Sequence, residues 1–253
     1  MIDERIVENN IFNFATNELE QDAFICWCLN WINMPVRDDN ESGRQFGTQF
    51  LSRLLNGVYD VSKVNRIYIF RQLLNIDVLV LVPELQAALI IEDKISSQEH
   101  GNQINRYKCL LSKTFKSNQY NGLDIYQHLS DDKKKKQKKR DETACWGAMN
   151  SIRWALRDEQ REWDLSKYTI HTAYLKTDWF NDDDWNTVRE LEKEPKDNTY
   201  VDGPEFLSLL LSYHEWNNPM LLNFVDYLIR KIRTTIEHSC FWKYYKDVDE
   251  HIR

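Results

Sequence analysis

Two apolar runs separated by four residues constrain this chain more than any other feature: IDVLVLV at 76–82 and AALIIEDKI at 87–95, with PELQ between them. Both are rich in β-branched residues and nearly continuous rather than alternating, the pattern of strands covered on both faces. Such a hairpin sits at the centre of a sheet and needs helices above and below it. Composition allows this: nine Trp, twelve Tyr and eleven Phe give bulk for a core, while seven Gly and five Pro leave little for a loop-rich sandwich.

Helical spacing predicts a first helix over 17–34, with Leu19, Phe24, Trp27, Cys28 and Trp31 apolar, Glu18 and Asp22 on another face, and Thr16 or Asn17 as cap. A second helix covers 43–56 and stops near Gly57. Residues 66–73 read as a strand ahead of the hairpin, and 99–114 as a helix after it. The stretch 115–142 reads as a loop ending in a basic block. Helical spacing returns over 143–163 through Trp146, Met149, Ile152, Trp154 and Leu156. A strand at 168–175, an acidic surface loop DWFNDDDW, and helices at 204–216 and 219–238 complete the chain. The expectation is an α/β fold with a mixed central sheet, ordered α–α–β–β–β–α–insertion–β–α–α. It forms a single domain over 1–253, with a core at about 15–114 and 166–178, a basic, helical insertion at about 115–165 and C-terminal helices at about 204–240.

No run approaches the roughly 18 apolar residues of a membrane span, and MIDERIVENN lacks the features of a secretory signal. Five scattered cysteines, an odd number, suit reduced thiols, so a cytoplasmic protein is expected. Cys26 and Cys28 point in different directions on a helix, and no partner set for zinc accompanies them. The net charge of −7 announces no nucleic-acid binding, yet 133–140 reads KKKKQKKR. This block is either a solvated loop or an arm whose Lys133, Lys134, Lys135 and Lys136 contact phosphates.

The hairpin also carries the chemistry. With its turn centred between Glu84 and Leu85, Asp77 lies opposite Glu92, and opposed Cβ atoms are about 4.5–5.5 Å apart. Glu92 and Lys94, two apart on one strand, share a face. Two carboxylates so close repel, and a divalent cation such as Mg²⁺ or Mn²⁺ relieves this, polarises a phosphoryl oxygen and acidifies a bound water. Lys94 could orient that water or stabilise charge on phosphorus. The same three residues also read as a structural ion cluster in which Lys94 neutralises its neighbours.

Asp77 and, after fourteen residues, Glu92-Asp93-Lys94 at the end of an apolar strand resemble the signature of the PD-(D/E)XK nucleases. The order helix, strand, hairpin, helix is similar to the α-β-β-β-α-β restriction-endonuclease-like core of that superfamily. Gln103 and Tyr107, in QINRY, resemble the QxxxY motif of the RecB and lambda-exonuclease type of nuclease domain, where these residues support the catalytic centre or contact DNA. The resemblance also implies an acidic metal ligand in the first helix. In NELEQDAF that is Glu18, in an E-L-x-x-D-A context, with Glu20 and Asp22 as competitors. Ile76 replaces the proline of the motif's name. Asp93 is an extra acid that either alters metal stoichiometry or points to the other strand face.

The resemblance implies Mg²⁺- or Mn²⁺-dependent phosphodiester hydrolysis, in DNA ahead of RNA, with a place in bacterial or phage defence by analogy alone. A catalytically inactive nucleic-acid-binding module of the same fold is the alternative. A structural or oligomeric protein with a solvated acidic strand end is a third. A homo-oligomer is left open, and no membrane partner is expected.

Overall fold

The structure, a computed structural model, describes residues 18–35, 37, 40–94, 103–117, 119–120, 125–127, 129–157, 163–179, 182–193 and 196–238. Helices α1 (Glu18–Asn30) and α2 (Glu41–Leu54) lead into strands β1 (Tyr68–Leu73), β2 (Ile76–Val82) and β3 (Ala87–Lys94). Helices α3 (Gln103–Phe115) and α4 (Asp131–Leu156) precede β4 (Thr169–Lys176). Helix α5 (Asp182–Leu191), strand β5 (Asn198–Val201) and helices α6 (Gly203–Leu211) and α7 (Pro219–His238) follow. The proposed cap residues Thr16 and Asn17, and residues 95–102, lie outside the described residues.

The strands form one mixed sheet in the order β1-β2-β3-β4-β5, with β3 in the middle. β1, β2 and β3 pair antiparallel, and β4 and β5 add parallel to β3. The hairpin keeps the register expected of an even loop, running from Val82↔Ala87 to Val78↔Ile91. Pro83–Leu85 makes one 3-10 turn, and Gln86 closes it with a φ of 49°.

Because successive strand residues point to opposite faces, the apolar runs feed two cores at once. Val78, Val80, Val82, Leu89 and Ile91 pack beneath α1, α2, α6 and α7, where Phe24, Phe50, Phe206 and Phe224 cluster. Leu79, Leu81, Ala88 and Ile90 pack against α3 and α4 through Leu110, Leu111, Ala148 and Ile152. The result is an α/β arrangement of helix layers on both faces of a mixed sheet, consistent with the restriction-endonuclease-like fold expected. Among the described residues, no helix is long and apolar enough to cross a membrane. Cys26, Cys28, Cys109 and Cys145 are free thiols.

Four local expectations are corrected. The basic block is not in a loop, for α4 begins at Asp131 and runs 26 residues without a break. Asp131 and Asp132 favour the helix N-terminus through its dipole, lysines are good helix formers, and buried Asp141 anchors the helix. Trp146 and Trp154 do not belong to the apolar face of this helix, being 72% and 66% exposed. The buried positions are Asp141, Ala148, Ile152 and Leu156, with half-buried Cys145 in the same row. Part of the acidic DWFNDDDW is helical, since Asp182, Asp183 and Asp184 fall in the first turn of α5, where negative charge is favoured. Finally β5, four residues long, is too short to have shown a period.

Candidate active site

The chemistry-bearing side chains gather where β2 and β3 part. The last backbone rung is Val78↔Ile91, so Asp77 and Glu92 occupy the next opposed positions. There the Asp77 side chain takes over the pairing, its Oδ2 accepting a hydrogen bond from the Asp93 backbone N–H at 3.0 Å. Glu92 is fully buried, and Lys94, itself 6% exposed, sets its ammonium 2.6 Å from the Glu92 Oε1. An ionised carboxylate reaches that depth only with a charged or strongly hydrogen-bonding partner.

Asp93 points to the opposite face, toward α1. Its Oδ1 accepts from Gln21 Nε2 at 2.6 Å, while Gln21 Oε1 accepts from Thr177 Oγ1 at 2.9 Å. One glutamine side chain thereby ties the first helix to the ends of β3 and β4. The extra acid is thus held on the α1 side of the strand, away from the face that carries Glu92 and Lys94.

The β1–β2 turn has an unusual backbone. Leu74 and Asn75 have φ of 61° each and Gln72 has φ of 55°, left-handed values that cost a non-glycine residue energy. The departure at Gln72 brings its side-chain amide within 3.3 Å of Asp22 Oδ2 and 3.4 Å of Asp77 Oδ1. Asp22, one of the competitors in the first helix, is buried and belongs to this neighbourhood. Glu18 opens α1 one turn earlier, and its side chain and that of Glu20 lie outside the described residues. Nothing in the sequence signalled Gln72 or Gln21, because one depends on a left-handed residue inside a strand and the other on helix-to-sheet packing.

From the other side α3 presents Gln103 and Tyr107, four residues and about one turn apart. Gln103 Nε2 donates to the Tyr107 hydroxyl oxygen. Burial, then the negative charge of Glu92, pushes the Tyr107 pKa up to about 12. Tyr107 therefore remains a neutral hydroxyl beside the carboxylate, with its own proton to donate.

A second charged pair stands beside the first and was not anticipated. Lys94 and Lys176 are register partners across the parallel β3–β4 ladder. Lys176 Nζ is 2.5 Å from Asp184 Oδ2, and the Tyr174 hydroxyl donates to Asp184 Oδ1 at 2.7 Å. A lysine closing a buried strand was the available signal, but its partner lies in the stretch read as an acidic loop.

The basic block lies at the same end of the molecule. Buried Asp141 of α4 accepts from Arg106 Nη2 at 2.8 Å, Tyr126 Oη at 2.8 Å and Gln137 Nε2 at 2.9 Å. Cys145 Sγ reaches the Leu110 carbonyl at 3.4 Å, and Met149 shares a cavity wall with Phe115. Each step of four or five residues along α3 is matched by a step of four along α4, so the two helices run parallel. Residues 131–137 thus extend past the N-terminus of α3, beyond the turn that bears Gln103 and Tyr107.

Asp77 and Glu92 offer hard oxygen donors, the chemistry that Mg²⁺ or Mn²⁺ takes while keeping most of its own waters. Among the described residues, no three His, Cys, Asp or Glu side chains converge on one point. A site of two carboxylates completed by water fits these residues, whereas a cage built wholly from the described side chains does not. The family model that matches the chain is that of the PD-(D/E)XK nuclease superfamily, over residues 9–199. No curated protein and no solved structure matches.

Proposed function

We propose that this chain, which belongs to the PD-(D/E)XK nuclease superfamily, is a Mg²⁺- or Mn²⁺-dependent nuclease that hydrolyses phosphodiester bonds in DNA. The observation that carries the reading is the open end of the hairpin. There two opposed carboxylates, Asp77 and Glu92, and the buried ammonium of Lys94 project together from the sheet. Asp77 and Glu92 would hold the cation, with Glu18 as the helix-borne acid and Glu20 and Asp22 as its competitors. When bound, the cation supplies Lewis-acid polarisation of the phosphate and a more acidic water.

The protein's own groups divide the remaining work. Lys94 lies beside Glu92 and is placed to hold a water for attack or to compensate charge growing on the phosphate oxygens. Tyr107 is oriented by Gln103 and keeps its proton, so its hydroxyl donates to a phosphate oxygen rather than acting as a base. Asp93 and Gln21 fix the strand end from the α1 side. DNA is preferred to RNA because the Gln103–Tyr107 pair resembles that of the RecB and lambda-exonuclease type. The Lys133–Lys136 run, at the same end of the molecule, suits phosphate contacts. The free thiols support a cytoplasmic location. A role in bacterial or phage defence, a homo-oligomeric state and the single-domain boundaries belong to the same proposal.

The test is cleavage of supercoiled DNA, linear DNA and RNA of matched length, with Mg²⁺, with Mn²⁺ and with chelator. The reading requires metal-dependent loss of a DNA substrate by the parent protein and none by Glu92→Gln. Cleavage that persists in chelator, or in the variant, would overturn it, and a parent protein that binds nucleic acid but cuts none would leave the inactive binding module of the same fold.

A further inference from the structure

Helix α4 does more than carry the basic block. Positions 136, 139, 143, 146, 150, 153 and 157 advance by three and four residues, so they form one face of the helix. This face lies opposite the row at 141, 145, 148, 152 and 156 that packs into the protein. Its members include Lys136, Lys139, Arg153 and Arg157, all exposed, with Arg140 at its margin. Trp146 stands among these cations and Trp154 joins Arg140 at the margin, 72% and 66% exposed, while Glu142 at the opposite margin is the one exposed acid of the helix from Lys133 onward. The Arg157 guanidinium stacks over the Trp154 ring at 4.2 Å from its centroid.

We infer that this face is a track for single-stranded nucleic acid, leading away from the active site. The inference rests on the nuclease reading for its choice of ligand and goes beyond it in naming the strand form and the path. Charge complementarity favours a polyanion, because the face is cationic in a chain of net charge −7. The tryptophans then discriminate between polyanions. An indole ring offers nothing to a phosphate, whereas it stacks well on a nucleobase, and only unpaired bases expose their faces. Trp146 and Trp154 lie about 12 Å apart along the helix axis at 1.5 Å per residue. The Arg157–Trp154 stack is a layer that a base would extend.

The direction of the track follows from the parallel packing of α3 and α4. Lysines 133–136 project past the end of α3 that carries Gln103 and Tyr107, and the tryptophans lie progressively farther from it. Cations come first, at the catalytic end, with stacking platforms behind them.

The experiment measures binding of a labelled twelve-nucleotide oligothymidylate and of a duplex of equal length to the whole protein in chelator, where no cleavage occurs. Trp146→Ala and Trp154→Ala, at exposed positions, should melt as the parent does. Each should lower single-strand affinity about five- to 150-fold, the usual loss when one stacking ring is removed. Duplex affinity and the salt dependence should stay unchanged, since no phosphate contact is lost. Trp→Phe at either position should retain most of the binding. Undiminished single-strand affinity in the double alanine variant overturns the track, as does an equal loss on duplex. Binding to phosphatidylserine vesicles that disappears in the double variant, while oligonucleotide binding persists, overturns it in favour of a membrane surface. Failure of the nuclease reading shows up elsewhere, as absent metal-dependent cleavage by a parent protein that still binds the oligonucleotide.

Discussion

Two lysines stand side by side at the carboxyl ends of β3 and β4, and they have different surroundings. Lys94 is paired with Glu92 and Lys176 with Asp184, at 2.6 and 2.5 Å, and all four side chains are almost wholly buried. Burial and distance do not separate the two pairs. Their neighbours do. Asp184 has one oxygen on Lys176 and the other on the Tyr174 hydroxyl, so both carboxylate oxygens are engaged. Glu92 faces Asp77 across the hairpin, so two carboxylates share this strand end with Lys94. A balanced buried pair is a structural device, and its value lies in being complete. Two carboxylates opposed at a strand end are where a cation gains most, which is why catalysis is proposed on Lys94's side of the ladder.

Activity gives the sharpest separation. Asp77→Asn and Glu92→Gln keep side-chain shape and remove one metal-binding charge each, and should lower the cleavage rate by about two to four decades. Asp184→Asn should leave the rate per folded molecule near that of the parent. Steady-state cleavage by the three variants decides the matter. A parent-like rate in Glu92→Gln would place the chemistry elsewhere.

Stability should reverse the order. Removing one partner of a buried ion pair costs about 3–5 kcal/mol, since it strands the other charge. Asp184→Asn should therefore lower the unfolding free energy by that amount in denaturant titrations. Glu92→Gln should cost less, because Asp77 stands opposite to take up the Lys94 charge. Replacing both members, as Lys176→Met with Asp184→Leu, should restore most of the loss while activity survives. If the double replacement is as unstable as Asp184→Asn alone, the pair is not the closed unit described above.

Metal ions sharpen the same contrast more gently. A ligand that binds only the folded state adds about 2.7 kcal/mol at one hundred times its dissociation constant. Mn²⁺ should raise the melting temperature of the parent and of Asp184→Asn alike, but not that of Asp77→Asn. An equal shift in Asp77→Asn would put the cation at another site.

What could be read from the sequence follows the range of the interactions. The hairpin register was legible because it depends on an even loop and a period of two, so the residues alone set Asp77 opposite Glu92. Gln103 and Tyr107 were legible as a motif at helical spacing. Asp184 was not, because its role is defined by a strand eight residues earlier in a segment read as a loop. The helical nature of 131–142 was hidden by charge: a lysine run reads as solvated, and Asp141, which anchors it, gets its partners from Arg106 and Tyr126. Trp146 and Trp154 were counted as apolar, although they fall outside the row at 141, 145, 148, 152 and 156 that α4 turns inward.

The smallest contrast concerns two tyrosines. Tyr174 is the register partner of Glu92, yet its hydroxyl turns to Asp184, whereas Tyr107 approaches Glu92 from α3. Tyr174→Phe removes a buried hydrogen bond to a charged group, a change worth about 1.5–3 kcal/mol of stability, and should leave the cleavage rate unaltered. Tyr107→Phe removes a hydroxyl that accepts from Gln103, a neutral and only part-buried hydrogen bond. Its stability cost should be under about 1.5 kcal/mol, while cleavage falls by roughly one to two decades as a donor to the phosphate is lost. Paired melting and rate measurements on the two variants read both axes at once. If Tyr107→Phe loses stability and keeps its rate, Tyr107 is a packing residue like Tyr174, and the catalytic site ends at Lys94.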